Sequence, residues 1–157
     1  MSLTKFERMM ELVEEVFATK EDPDQLDVNE DIIEGLQKLH PATLSEYNEG
    51  DGPIAWILLI PTTQELMQLF VEKKISEKEL YELTKPGIKY DALYLCSGLV
   101  LEEYRRKGIA RNLTLDAIKK IREEHPLKAL FVWSFSKEGD IAAEAIAREV
   151  SLPLFKR

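Results

Sequence analysis

Four positive charges, Arg105, Arg106, Lys107 and Arg111, gather around two small residues, Gly108 and Ala110, with no negative charge between Arg105 and Arg111. An apolar run closing on Leu99-Val100-Leu101 precedes them, and Glu102-Glu103-Tyr104 links the two. After Gly108 the apolar residues Ile109, Leu113, Ala117, Ile118 and Ile121 recur at the spacings of one buried helical face. A strand that passes into a helix through such a loop leaves the first backbone N–H groups without intrahelical partners. Those donors, the helix dipole and the basic side chains form a site for an anion, and phosphate is the natural one. Small residues at 108 and 110 let it reach the backbone.

The stretch resembles the acyl-CoA-binding motif of the GNAT superfamily of N-acetyltransferases. That family reads Val-x-x-x-x-(Arg/Gln)-x-x-Gly-x-(Gly/Ala) at a strand–loop–helix junction, where the loop cradles the pyrophosphate of coenzyme A. Val100, Arg105, Gly108 and Ala110 fall in register, and Glu103-Tyr104-Arg105 matches the common filling of the loop. The resemblance assigns the cofactor site to Leu99, Val100, Arg105, Arg106, Lys107, Gly108, Ile109, Ala110 and Arg111, with acetyl-CoA or another acyl-CoA as the ligand. It implies direct transfer of an acyl group to an amine in a ternary complex.

Acyl transfer from a thioester needs a proton acceptor for the amine, donors for the tetrahedral oxyanion, and a departing thiolate. In the family, backbone groups supply the donors where the central strand splays from its neighbour, and by register these contacts fall at Gly98 and Val100. An isolated Gly in an apolar strand marks a bulge, a close backbone approach or simple irregularity. The family's catalytic side chains often project a few residues earlier, at the positions of Tyr94 and Cys96, which alternation puts on one face. A Tyr titrating near about 10 and a Cys near about 8.5 are poor bases. Tyr94 is a candidate acid for the thiolate, and Cys96 a candidate nucleophile, although a buried Cys more often packs as a small hydrophobe. Glu46, or a water held by Ser134 or Ser136, is another route to a base. No cluster with metal-ligand spacing occurs.

The elements that must position this chemistry follow from periodicity and caps. Thr4-x-x-Glu7 opens a helix with Phe6, Met9, Met10, Val13, Val16 and Phe17 as its stripe, broken at Glu21-Asp22-Pro23-Asp24. A second helix is expected from about Val28 to Leu39, capped by Asp27 or Asn29. His40-Pro41 ends it, and His125-Pro126 ends the Gly108 helix. Both histidines read as cations at helix C-termini. Residues 42 to 61 read as a hairpin, turning at Glu49-Gly50-Asp51-Gly52 and closed by Pro61. Capping boxes at Thr62-x-x-Glu65 and Ser76-x-x-Glu79 open two short helices. Strands are then expected over 91–101 and 128–135, a helix over 141–150, and a final short strand within 152–157.

That order predicts an α/β, α+β-layered chain: a GNAT-like mixed sheet flanked by helices in a single domain, 1–157. It divides into N-terminal helices (1–40), a helical insertion (62–90) before the central strand, and the acyl-CoA-binding strand–loop–helix (91–124). The insertion, the lack of an early strand and the short chain after the last helix all depart from the family. The sheet is therefore expected to be shorter, or to be completed by a second subunit in a homodimer. The family's Asn-x-x-Ala-x-x-x-Tyr run falls on Asp140, Ala143 and Ala147, so the tyrosine that commonly protonates the thiolate is replaced by alanine.

A net charge of −8 argues against nucleic acid as a partner and suits a cationic acceptor. No apolar run is long enough to span a bilayer, and the one cysteine leaves no disulfide framework, which makes a cytoplasmic location the default. Two other readings are open: a non-catalytic acyl-CoA-binding protein of the same fold, and an interaction module with no cofactor.

Overall fold

The computed structural model describes residues 3–18, 26, 30–50, 52–134 and 136–157. The chain runs α1 (Lys5–Ala18), α2 (Glu30–Leu39), β1 (Leu44–Glu49), β2 (Gly52–Thr62), α3 (Gln64–Val71), α4 (Glu77–Leu83), β3 (Ala92–Val100), α5 (Ile109–Glu124), β4 (Ala129–Val132), α6 (Lys137–Val150) and β5 (Leu154–Lys156). The strands form one sheet in the order β1-β2-β3-β4-β5. The hairpin and the β2–β3 pair are antiparallel, whereas β3–β4 and β4–β5 are parallel. This is a mixed α/β architecture with the sheet in the middle layer. Among the described residues no strand precedes β1. No described helix is long and apolar enough to cross a membrane.

Helices cover both faces, which is why β2 and the first half of β3 are apolar throughout rather than alternating. Leu58, Ile60, Ala92 and Tyr94 meet Leu36, Met67, Phe70 and Leu80 from α2, α3 and α4 on one face. Ile57, Leu59, Leu93 and Leu130 meet Ala117, Ile118 and Ile121 of α5 and Ile146 of α6 on the other. Met9 of α1 packs on Ile54, Leu99 and Leu101. Met10, read as part of the same stripe, instead points outward. The break at 21–24, the α2 cap and the side chains of Phe6, Val13, Val16 and Phe17 lie outside the described residues.

Pro61 does not end β2. It sits opposite Leu93, the pairing continues to Thr62, and the Thr62 hydroxyl shares a 2.7 Å hydrogen bond with that of Thr84. With Thr62 kept in the strand, α3 is capped one residue later, where Thr63 Oγ1 accepts from Leu66 N at 3.3 Å. Asp91 adds a second cap, accepting from Gln64 N at 2.8 Å and from its side-chain amide at 2.9 Å. The Ser76–Glu79 box forms in both directions. α6 starts four residues before its expected start, because Ser136 Oγ accepts from Gly139 N at 3.0 Å and holds a glycine within the first turn.

Both histidine rings accept a backbone N–H donor. His40 Nδ1 accepts from Ala42 N at 3.0 Å, and its Nε2 lies 2.5 Å from Glu124. His125 Nδ1 accepts from Tyr90 N at 3.2 Å, and burial, with His40 and Lys89 nearby, pushes its pKa below the usual histidine value.

Candidate active site

β3 reaches α5 through a turn at Glu102–Tyr104 that is tied back to the sheet. Leu101 N donates to Ile54 O at 2.9 Å, and Arg105 Nε donates to Val100 O at 2.9 Å. Gly108, at φ 76° and ψ 8°, is the N-cap of α5 and offers no side-chain cap. Its left-handed backbone is one that a residue with a Cβ adopts at a cost. A Cβ there would meet only Asn112 Nδ2 at 3.8 Å, so the surface above it is open. Arg106 is also left-handed, at φ 65°. The first turn of α5 thus presents backbone donors in a basic loop with no acidic side chain capping them, an arrangement that fits a pyrophosphate.

Two acidic side chains nearby, Glu103 and Glu149, are held by arginines. Glu103 accepts both guanidinium nitrogens of Arg8, at 2.7 and 2.5 Å, and this pairing holds its carboxyl at about 2. Arg111 reaches Glu149 at 3.0 Å, with both side chains half exposed. Lys107 lies over the Tyr104 ring, 5.7 Å from its centre.

The parallel ladder between β3 and β4 stops at Tyr94–Phe131. Beyond it the strands part, and a cavity of about 550 Å³ opens between them. Leu95 to Leu99 of β3 form one wall, and Val132, Trp133 and Ser134 the other. Ala110, Arg111 and Thr114 of α5 and the Ala142–Ala143 face of α6 complete it. Of the nine residues assigned to the cofactor, Leu99, Ala110 and Arg111 line the cavity. Arg105, Arg106, Lys107 and Gly108 form the loop leading into α5. Val100 faces Ala55 across the ladder, and Ile109 packs toward Met9.

The bulge is at Cys96, not Gly98. Leu58 opposes Ser97 and Leu59 opposes Leu95, which leaves Cys96 as the extra residue, while Gly98 pairs regularly with Ile57. Gly98 serves a close approach instead: a Cβ there would come within 3.0 Å of Ile57 Cδ1. The bulge puts Cys96 on the cavity wall with its sulfur 3.9 Å from Glu77 Oε2.

Tyr94 is not brought to the cavity. It is 1% exposed, stacks on Phe131 at 5.0 Å, and donates its hydroxyl to Glu77 Oε2 at 2.5 Å. Burial, with Cys96 and Glu77 beside it, pushes its pKa well above the tyrosine range, so it is a held donor. The other oxygen of Glu77 accepts from Leu26 N at 2.6 Å. Nothing in the sequence singled out Glu77. It sits in the first turn of α4, where the dipole favours a negative charge, but the capping box drew attention to Glu79. Only the packing of α4 against β3 brings it to Cys96.

Ser134 and Ser136 both line the cavity, and Ser134 Oγ donates to Asp140 Oδ1 behind it at 2.6 Å. Glu46 is occupied by Trp56 Nε1 at 2.8 Å and lies outside the cavity wall. Ala147 is buried in the core between α5 and α6.

No protein-family model and no curated protein matches the chain. It is similar to a solved aminoglycoside acetyltransferase from an uncultured soil metagenomic sample, in two complexes. The trehalose complex is 18% identical, with TM-score 0.48 over 92% of this chain and 78% of that one. The sisomicin complex is 21% identical, with TM-score 0.46 over the same shares. The functional reading therefore rests on the geometry of the cavity.

Proposed function

We propose that the protein is an acyl-CoA-dependent N-acyltransferase, moving acetyl or another short acyl group to an amine by direct transfer in a ternary complex. The observation that carries this reading is one arrangement: a cavity between parting parallel strands, adjoining a helix N-terminus whose cap is a left-handed glycine in a basic loop. The N–H groups of the first turn of α5 hold the pyrophosphate, and Arg105, Arg106, Lys107 and Arg111 supply its counter-charge. The edge of β3 beyond Tyr94, released from β4, pairs with the pantetheine amides and directs donors at the acyl oxygen. Bound acyl-CoA supplies the acyl group as an activated thioester. Asp140, reached through Ser134 Oγ, takes the proton of the amine. The single cysteine fits a cytoplasmic location.

A second reading, a non-catalytic acyl-CoA binder, is favoured by Ala147, whose buried methyl stands where the family commonly has its acidic tyrosine. Calorimetry with acetyl-CoA, followed by measurement of CoA thiol release over a panel of amines, tests both. Micromolar binding with turnover supports transfer, binding without turnover on any amine supports the second reading, and no binding removes both.

A further inference from the structure

The rings of Trp133 and Phe70 both pack on one cation. The guanidinium of Arg157 lies 4.3 Å from the Trp133 ring centre and 4.5 Å from that of Phe70, with the two rings 6.0 Å apart at 73°. Two aromatic rings set around one planar cation form a recognition site for a guanidinium group, which stacks on them as a plane. Arg157 Nη2 donates to Ile75 O at 3.4 Å, and its Nε and Nη1 are withdrawn from solvent. The Phe70 ring in turn lies 5.0 Å from that of Tyr94, whose hydroxyl is held by the Glu77 carboxylate. The slot is thus aromatic at its sides and carries a carboxylate nearby. It also adjoins the cavity, because Trp133 and Cys96 belong both to the cavity wall and to the cluster around Phe70 and Tyr94.

We propose that the slot between Phe70 and Trp133 is the acceptor subsite, that it takes the guanidinium head of an amine-bearing substrate, and that Arg157 is its internal occupant. This rests on the acyl-transfer reading of the cavity. A substrate whose guanidinium displaced that of Arg157 would hold its other end on the Cys96–Ser134 side, where the thioester lies in that reading. There the amine nitrogen bonds to the acyl carbon, the carbon–sulfur bond breaks, and the proton lost by the nitrogen ends on the CoA thiolate. The net charge of −8 draws such a substrate toward the molecule.

Agmatine, a guanidinium joined to a primary amine by four methylenes, is the probe, and hexylamine is the control without a guanidinium. Acetyl-CoA calorimetry on wild type comes first; failure there removes the acyl-transfer reading and leaves the slot to its own test. Agmatine is then titrated without cofactor in a Trp56→Phe background, where Trp133 is the remaining tryptophan. Arg157→Ala is expected to bind agmatine at least tenfold more tightly than wild type, and adding Phe70→Leu removes the gain. With acetyl-CoA, the agmatine KM falls at least tenfold in Arg157→Ala while the hexylamine KM moves less than twofold. Equal agmatine affinity in wild type and Arg157→Ala overturns the proposal, as does a parallel change in both KM values. Binding without acetylation overturns the acceptor role. Should Arg157→Ala fail to fold, hydrogen exchange on wild type decides. Saturating agmatine should speed exchange of the Arg157 amide, which donates to Val132 O at 3.0 Å, and unchanged exchange refutes displacement.

Discussion

Two substitutions at Gly108 separate binding from folding because their effects on the two run in opposite directions. Gly108→Ala places a Cβ at φ 76°, where L-residues lose about 1–2 kcal/mol. The nearest atom, Asn112 Nδ2, is 3.8 Å from that Cβ, so no clash adds to the strain. Gly108→Glu carries the same strain but puts a carboxylate at the N-terminus of α5, which stabilises a helix by about 0.3–1 kcal/mol. The Glu variant should therefore unfold in urea at a midpoint equal to or above that of the Ala variant. Ligand binding should rank them the other way. Two like charges about 4 Å apart repel by about 1 kcal/mol in bulk water and about 4 kcal/mol near a protein surface. At about 1.4 kcal/mol per decade, the Glu variant should bind acetyl-CoA between about five- and a thousandfold more weakly than the Ala variant. Calorimetry at low salt, repeated at 0.5 M, reads the difference, which screening should shrink. If both variants bind within twofold of each other while urea melts show both folded, the pyrophosphate is not at Gly108.

Four further outcomes follow from the same geometry. Tyr94→Phe removes the donor to Glu77 Oε2 and should cost about 1.5–3 kcal/mol in urea stability, with acetyl-CoA affinity within twofold of wild type; a tenfold loss of turnover at unchanged stability would instead restore Tyr94 as the catalytic acid. Asp91→Ala removes the second cap of α3 and should cost about 0.5–2 kcal/mol, measured the same way. Stability should fall as pH drops below about 6.5, because His125 is depressed in the fold and the unfolded chain takes up the proton first; His125→Asn should flatten that fall between pH 7 and 5. The outer edge of β5 ends the sheet with Phe155 40% exposed, and an open edge invites pairing, so light scattering at micromolar concentration should report a homodimer, which Phe155→Lys should weaken; a monomer throughout refutes it.

What could be read from the sequence was local. The α5 stripe, the Ser76 box and the glycine at the head of α5 each depend on residues within one or two turns, and each is found in place. What escaped depends on pairing across the sheet. Gly98 drew the expectation of a bulge because glycine is the residue that marks bulges in isolation, yet register is set by β2, and there Ser97 and Leu95 claim consecutive partners. Alternation put Tyr94 and Cys96 on one face correctly, but it carries no information on which face opens to a cavity. Glu77 lies 17 positions from Tyr94 and belongs to a helix whose docking is decided by Leu80 and its neighbours in the core. Pro61 misled because proline forbids one N–H donor, not the pairing of the residues around it.

The bulge and the parting of the strands fall at adjacent positions, and that coincidence explains why one short stretch of β3 serves two faces. Up to Tyr94 the strand is paired on both sides and its side chains are fixed by regular alternation. At Cys96 the extra residue breaks the alternation, so Tyr94 and Ser97, three positions apart, face the same side opposite Ile60 and Leu58. A bulge also increases local twist, which turns β3 away from β4 where their ladder has just ended. The backbone on the open edge thus becomes available to a ligand. The Cys96 sulfur stays within 3.9 Å of Glu77 on the side covered by α3 and α4. The inserted helices therefore pack behind β3 and the end of β4, with Phe70 against Phe131 and Trp133 and Glu77 against Tyr94 and Cys96. A residue change in α3 or α4 should alter which amine is accepted, and a change in the α5 loop should alter whether acyl-CoA binds at all.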